Sequence, residues 1–153
     1  DALKHLQEAF GSKENNNVFD MDPTKLFVRE LQKNIKSEDY YKVVVATPDQ
    51  GAILKGNNLA AHFGGLRAFG EKKRNIIVVS ASLEVPEHSI VVFRDDMFDT
   101  GGTTKKSLDN AYANAEEIYL CFTHPFLSGG GGYNVFEIAR HEKIKGIYFL
   151  TTI

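Results

Sequence analysis

The chain has 153 residues, of which 42% are hydrophobic and 25% charged, a composition typical of one globular domain. The formal net charge of -2 provides no broad basic surface, which argues against nucleic acid as a partner. No run approaches the roughly 18 apolar residues that span a bilayer, so we also expect no membrane partner. The single cysteine, Cys121, can form no internal disulfide, which predicts a reducing compartment, the cytoplasm.

Helical spacing dominates the start of the chain. Residues 1–10 place their apolar side chains on one helical face. Over residues 21–35, Asp22 is predicted to cap a second helix, with Pro23 at its first position. Four apolar residues of this segment recur at helical spacing and support a helix: Leu26, Phe27, Leu31 and Ile35.

Short continuous apolar runs replace this pattern from Tyr41 onward. They read "YKVVVA", "LRAF", "IIVVSA", "SIVVF", "EIYLCF" and "GIYFLTTI". Such runs are typical of strands buried on both faces of a parallel sheet, because helices cover both sides. The segments "GAILKGNNLAAHFGG", "TTKKSLDNAYANA" and "YNVFEIARHEK" predict the crossover helices. We therefore predict an α/β fold with a doubly wound, mostly parallel sheet flanked by helices.

Four unusual stretches lie where these predicted strands end. They are "TPDQGA" after the first strand, "GEKKRN" after the second, "RDDMFDTGGTT" after "SIVVF" and "THPFLSGGGG" after "EIYLCF". Ligands of open parallel sheets bind at the carboxyl ends of the strands, so these stretches are expected to meet. The glycine run "SGGGGY" is either a backbone anion site ahead of a helix or a flexible loop.

The stretch from Arg94 to Thr104 has the chemistry of a phosphosugar site. Gly101 and Gly102 leave the backbone open to close approach, so the amides of residues 100–104 can surround a phosphate at a helix N-terminus. Asp95 and Asp96 supply acceptor oxygens for vicinal sugar hydroxyls, directly or through Mg²⁺.

"DDMFDTGGTT" resembles the phosphoribosyl-pyrophosphate-binding motif of the type I phosphoribosyltransferase fold. "THPFLSG", "TPDQGA" and "VFDMDPTKL" resemble segments of ribose-phosphate pyrophosphokinases, and "THPFLSG" separates these enzymes from most transferases of the fold. The resemblance covers residues 18–153. It implies that residues 1–153 form one phosphoribosyltransferase-like domain, matching the C-terminal half of the family and lacking an upstream ATP-binding half.

The resemblance also implies roles for individual residues. The ribose 5-phosphate ligands would be Asp95, Asp99, Thr100, Gly101, Gly102 and Thr103, with Asp96 beside them. Asp49 matches the acid that supports a magnesium ion. Lys72 and Arg74 match the Lys-x-Arg spacing of a mobile catalytic loop, whose cations would stabilise charge on the phosphoryl oxygens.

Three features depart from the family pattern. Arg94 replaces an apolar residue before the acid pair, Ala52 replaces a glycine, and the segment between Lys72 and Asp95 is shorter by a few residues. Arg94 is therefore expected to lie close to the magnesium and sugar site, or instead to point away or to pair with an acid.

The leading prediction is the ribose-5-phosphate-binding part of a ribose-phosphate pyrophosphokinase, an enzyme that uses Mg²⁺ and ATP and forms homo-oligomers. One alternative is a phosphoribosyltransferase that consumes phosphoribosyl pyrophosphate, although no nucleobase-binding segment is evident. The other is a non-catalytic phosphosugar-binding or regulatory homologue, which Arg94 and the shorter loop favour.

Overall fold

The computed structural model describes residues 22–48, 52–64, 76–78 and 85–150. Four α-helices lie in these ranges: α1 (Thr24–Leu31), α2 (Ile53–Ala61), α3 (Gly102–Asn114) and α4 (Gly131–Ala139). A 3₁₀ helix covers Ser37–Lys42. The strands are β1 (Val43–Thr47), β2 (Ile76–Val78), β3 (Ser89–Phe98), β4 (Ala115–Pro125) and β5 (Ile144–Phe149). None of the described helices is both long and apolar enough to cross a membrane.

The strands form one sheet of five, in the order β2-β1-β3-β4-β5. Every pairing is parallel, with registers such as Val45 to Ile76, Val92 to Tyr119 and Leu120 to Ile147. Parallel neighbours need crossover connections, and the helices supply them. The sheet confirms the prediction of an α/β, doubly wound, parallel fold.

Two apolar clusters cover the two faces of the sheet. On one face, Val43, Val45, Ile90 and Val92 pack with the α1 and α2 side chains, including Phe27, Leu31 and Leu59. On the other face, the alternate strand residues Ala46, Val91, Phe93, Ile118 and Leu120 pack with Leu108 of α3 and Ile138 of α4. Side chains alternate between the faces of a strand, so continuous apolar runs are needed where both faces are covered.

Asp22 anchors the start of α1. Its Oδ1 accepts hydrogen bonds from the backbone N–H of Thr24 at 2.9 Å and from the Thr24 hydroxyl at 2.6 Å. The helical residues begin at Thr24, one position after the predicted Pro23. Of the four apolar residues at helical spacing, Phe27, Leu31 and Ile35 are buried, whereas Leu26 is 46% exposed.

The predicted strands differ from the observed ones mainly in length. The prediction ended the third described strand after "SIVVF", but β3 continues to Phe98 because residues 94–98 pair with β4, for example Arg94 with Cys121 and Asp95 with Phe122. β4 extends in the same way to Pro125. The predictions of a helix over residues 1–10 and a strand at "LRAF" lie outside the described residues.

Candidate functional site

The alternation of side chains along β3 separates the two adjacent acids. Ile90 and Val92 face α1 and α2, so Arg94 and Asp96 lie on that side of the strand. Val91 and Phe93 face α3, so Asp95 lies on the side of the loop that leads into that helix. Each acid therefore borders a different cavity, and Met97 lines both cavities.

The first cavity has a volume of about 290 Å³ and lies at the carboxyl ends of β1 and β3. Its walls contain six of the residues predicted to bind ribose 5-phosphate, all except Asp96. The full lining is Pro48, Asp95, Met97, Asp99, Thr100, Gly101, Gly102, Thr103 and Thr104. The structure thus brings together the strand end and the glycine-containing loop, as the sequence predicts for an open parallel sheet.

The loop from Asp99 to Thr104, called the phosphate loop below, presents backbone donors to this cavity. Gly101 has φ 80° and ψ 2°, the left-handed conformation that glycine adopts without steric cost, and α3 begins at the next residue. Among the described residues, no acceptor is found for the backbone N–H groups of residues 100–104. Unbonded N–H groups at the positive end of a helix dipole favour an anion.

Residues of the β4–α4 segment hold the phosphate loop from behind. The Asp99 Oδ1 accepts hydrogen bonds from Ser128, from the backbone N–H at 3.1 Å and also from the hydroxyl. The Asn134 Nδ2 donates to the Thr100 carbonyl oxygen at 2.6 Å. These contacts show that the Asp99 carboxylate is engaged in support of the loop.

The second cavity, of about 460 Å³, lies on the opposite face of β3. At this cavity Asp96 forms ion pairs with Lys55 of α2 at 2.6 Å and with the Arg94 Nη1 at 3.6 Å. The other residues around it are Asp22, Pro23, Leu54, Asn58, Met97, Thr123 and His124. Asp96 thus forms ion pairs with two cations on the side of the strand away from the phosphate loop.

The Arg94 side chain is buried, with 0% exposure. Its guanidinium donates to the Asp95 carbonyl oxygen and to the Thr123 hydroxyl, the latter at 3.0 Å, and lies 5.0 Å from the centre of the Phe27 ring. Burial lowers the pKa of Arg94, and the Asp96 carboxylate opposes that shift. Arg94 therefore borders the second cavity and not the first, and it pairs with an acid, Asp96.

Three predicted site residues, Asp49, Lys72 and Arg74, lie outside the described residues. Within those that are described, no three His, Cys, Asp or Glu side chains form a group that could hold a metal ion. Sequence reasoning missed Lys55, Ser128 and Asn134, which contact the predicted site residues. Only Ser128 had a visible signal, since it precedes the glycine run.

The parallel sheet, its order and the glycine-opened loop after β3 define a domain of the type I phosphoribosyltransferase fold class. The fold matches that of phosphoribosylpyrophosphate synthetase from Mycobacterium smegmatis with a TM-score of 0.59, at 18% identity, over 83% of this chain and 46% of that one. No family model matches the sequence.

The chain has curated relatives among the ribose-phosphate pyrophosphokinases. The sequence is 30% identical to the ribose-phosphate pyrophosphokinase of Ralstonia nicotianae over 118 residues, and 32% identical to that of Bacillus caldolyticus over 127 residues. The chain is thus a homologue of the ribose-phosphate pyrophosphokinases. The matched segments cover 74% and 80% of this chain but only 37% and 39% of those relatives, so the chain spans less than two thirds of their length.

Proposed function

We propose that the chain is the ribose-5-phosphate-binding part of a ribose-phosphate pyrophosphokinase. The observation that carries this proposal is the first cavity, where the phosphate loop presents unbonded N–H groups beside the Asp95 carboxylate. The N–H groups of residues 100–104 are suited to the 5-phosphate, and the acceptor oxygens of Asp95 are suited to ribose hydroxyls. The hydroxyl groups of Thr100 and Thr103 add further donors at the exposed rim.

In the proposed reaction, the anomeric hydroxyl of ribose 5-phosphate loses its proton to solvent, and its oxygen forms a bond to the β-phosphorus of ATP. The bond from that phosphorus to the oxygen of the α-phosphate breaks, so that AMP leaves and phosphoribosyl pyrophosphate forms. The residues in the first cavity hold and orient the acceptor sugar, since phosphoryl transfer depends mainly on positioning and electrostatic stabilisation. We assign most of the ATP contacts to parts of such an enzyme beyond this domain.

Magnesium is part of the proposal as the partner of ATP. Mg²⁺ keeps several waters and needs one or two protein carboxylates when it binds together with phosphates. In this proposal the Asp95 carboxylate is one such ligand at the first cavity, and the described residues contain no complete metal-binding group. Asp49 remains a prediction as a second acid, and Lys72 and Arg74 remain predictions as the cations that serve the transferred group. The cytoplasmic location and the homo-oligomer are likewise part of the proposal.

A second candidate is a phosphosugar-binding homologue without catalysis. The position of Asp96 favours it, because this acid is paired with Lys55 and Arg94 on the opposite face of β3 and not directed to the first cavity. Under this reading Asp95 and the phosphate loop still bind ribose 5-phosphate, but ATP is not consumed.

Titration of the ¹⁵N-labelled chain with ribose 5-phosphate and Mg²⁺ tests both candidates. The amide signals of residues 100–104 are expected to move, and ribose without its phosphate is expected to leave them in place. Signals that do not respond to ribose 5-phosphate would refute both candidates. ³¹P spectra of the full enzyme with ATP then decide between them, because AMP release supports the pyrophosphokinase and binding without AMP release supports the non-catalytic homologue.

Two matched variants, Asp95→Asn and Asp96→Asn, test the division of the acids. Because Asp95 borders the first cavity, its variant is expected to weaken ribose 5-phosphate binding by about 10- to 150-fold, the effect of one hydrogen bond to a charged group. Asp96→Asn should weaken binding less, since Asp96 lies at the second cavity. Equal losses in the two variants would contradict this assignment and return Asp96 to the sugar site.

A further inference from the structure

The start of α4 is bonded to the phosphate loop by a residue that has no role in the proposal above. Asn134, the fourth residue of α4, is half-buried and donates from its Nδ2 to the Thr100 carbonyl oxygen at 2.6 Å. Its Oδ1 accepts a hydrogen bond from the Lys105 Nζ at 2.7 Å. Asn134 thus joins the loop, the first turns of α3 and the first turns of α4.

The two partners of Asn134 determine how its amide is oriented. A lysine ammonium can only donate, so it must meet the amide oxygen, and a backbone carbonyl can only accept, so it must meet the amide nitrogen. Both requirements give the same orientation. Lys105 therefore keeps the Nδ2 directed at Thr100, and the alternative orientation would lose both hydrogen bonds.

Fixing the Thr100 carbonyl also fixes the next N–H group. The peptide between Thr100 and Gly101 is trans, and in a planar trans peptide the C=O and N–H bonds point in opposite directions. Because Asn134 holds this carbonyl toward α4, the Gly101 N–H is directed away from α4. That N–H has no acceptor among the described residues, and Gly101 lines the first cavity.

Close packing behind the loop supports the same arrangement. A Cβ atom added at Gly131, the first residue of α4, would overlap the carbonyl oxygen of Asp99, and one at Gly101 would lie 3.2 Å from the Asn134 Cβ. The Asp99 carboxylate accepts a hydrogen bond from Ser128, which lies between β4 and α4. Residues 128–134 thus contact two consecutive residues of the phosphate loop, Asp99 and Thr100.

We propose that Asn134, oriented by Lys105, is a positioning residue that sets the Thr100–Gly101 peptide so that its N–H is ready for the phosphate of the ligand. This inference rests on the proposed binding of a phosphosugar in the first cavity. Asn134 does not contact the ligand itself. A loop that is ordered before binding loses less conformational freedom when the ligand arrives, and that raises its affinity.

Variants at both positions separate this role from simple packing. Asn134→Ala removes both hydrogen bonds, whereas Asn134→Asp keeps an acceptor for Lys105 but has no donor for Thr100. Both are expected to weaken the binding of ribose 5-phosphate and of inorganic phosphate by about tenfold, the effect of one lost hydrogen bond. Lys105→Met should weaken it by about two- to threefold, and the double variant should be no weaker than Asn134→Ala because Lys105 acts through Asn134.

Matched controls come from α3. Asn110 and Lys106 are exposed and have no side-chain hydrogen bond or ion pair within the part of the chain that the structure describes. Asn110→Ala and Lys106→Met are therefore expected to leave phosphate affinity and the loop signals unchanged. Asn134→Ala places a stronger helix former in α4, so the variant should fold, and a denaturation curve checks that it does.

The decisive measurements are made with and without ligand. In the ligand-free protein, Asn134→Ala and Asn134→Asp should shift the Gly101 amide signal and lower its order parameter, while signals from β1 and β3 stay in place. Loop signals that coincide with those of the wild type, or unchanged phosphate affinity, would overturn the inference. If the wild type binds neither phosphate nor ribose 5-phosphate, the proposed function fails and the phosphate role of Asn134 fails with it. That outcome is distinguishable from a failure of this inference alone, in which the wild type binds phosphate and the Asn134 variants bind it equally well.

Discussion

Replacing Gly101 by alanine tests how the phosphate loop is built. Gly101 has φ 80°, and an added Cβ would lie 2.7 Å from the Phe98 Cζ and 3.2 Å from the Asn134 Cβ. Phe98 is 1% exposed and its ring packs edge-on against Phe122, with ring centres 5.0 Å apart. The ring therefore has little room to move, so the new methyl group must displace either the aromatic core or the loop.

Two other glycines separate the effects of left-handed strain and of crowding on the free energy of unfolding. Gly64 has φ 81° but nothing within 4 Å of an added Cβ, so Gly64→Ala should cost only the left-handed strain, about 1 kcal/mol. Gly102 has its nearest neighbour at 3.8 Å and no positive φ, so Gly102→Ala should be neutral or stabilise the fold by about 0.5 kcal/mol. Gly101→Ala combines strain with overpacking and should destabilise by about 2–4 kcal/mol.

Urea denaturation of the three variants, followed by circular dichroism, measures these free energies of unfolding. The expected order of stability is Gly102→Ala, then Gly64→Ala, then Gly101→Ala. A loss in Gly101→Ala no larger than that in Gly64→Ala would show that Phe98 yields and that the crowding argument is wrong. A loss in Gly102→Ala as large as that in Gly64→Ala would refute the argument that the positive φ of Gly64 and Gly101 causes the strain.

Three further outcomes are expected. Thr123→Val removes the acceptor of the buried Arg94 Nη2 and should destabilise the fold by about 1–3 kcal/mol in urea denaturation, and no loss would show that Arg94 finds another acceptor. Cys121 is 0% exposed and burial raises its pKa to about 12, so thiol reagents should modify it only after unfolding. Mass spectrometry follows the reaction, and prompt modification of the native protein at pH 8 would contradict this prediction. Burial acts to raise the pKa of Asp22, but the hydrogen bonds from Thr24 lower it below the ordinary 3.8. A carboxyl group whose pKa is lower in the folded state stabilises the fold above its ordinary pKa, and this stabilisation is lost as the pH falls through the lowered pKa. The difference in stability between the wild type and Asp22→Asn should therefore shrink on acidification. A difference that stays constant would exclude this role for Asp22.

The sheet could be predicted because its signal is local. Runs such as Val43 to Val45 and Ile90 to Val92 are β-branched and continuous, and only strands covered on both faces need that composition. The length of β3 could not be predicted in the same way. Arg94, Asp95 and Asp96 are unfavourable or neutral in strands, and they adopt the extended conformation because β4 pairs with them.

The candidate site was predictable where neighbouring residues form it and not where distant ones do. The glycines at 101 and 102 mark the phosphate loop in the sequence, since a left-handed residue ahead of a helix requires glycine. The bond from Asn134 to Thr100 joins residues 34 positions apart, and the pair of Lys55 and Asp96 joins residues 41 apart. Neither contact leaves a periodic pattern, so both became visible only with the fold.

The alternation along β3 also limits how this protein can change over evolution. A substitution at 96 acts on the half-exposed side of α1 and α2, so that position can diverge while the surface around Asp95 stays intact. Loss or gain of one residue between Phe93 and Asp95 would instead exchange the two carboxylates, since the side-chain period of a strand is two. The strand is therefore tolerant of a new side chain at 96 but intolerant of any change in its length.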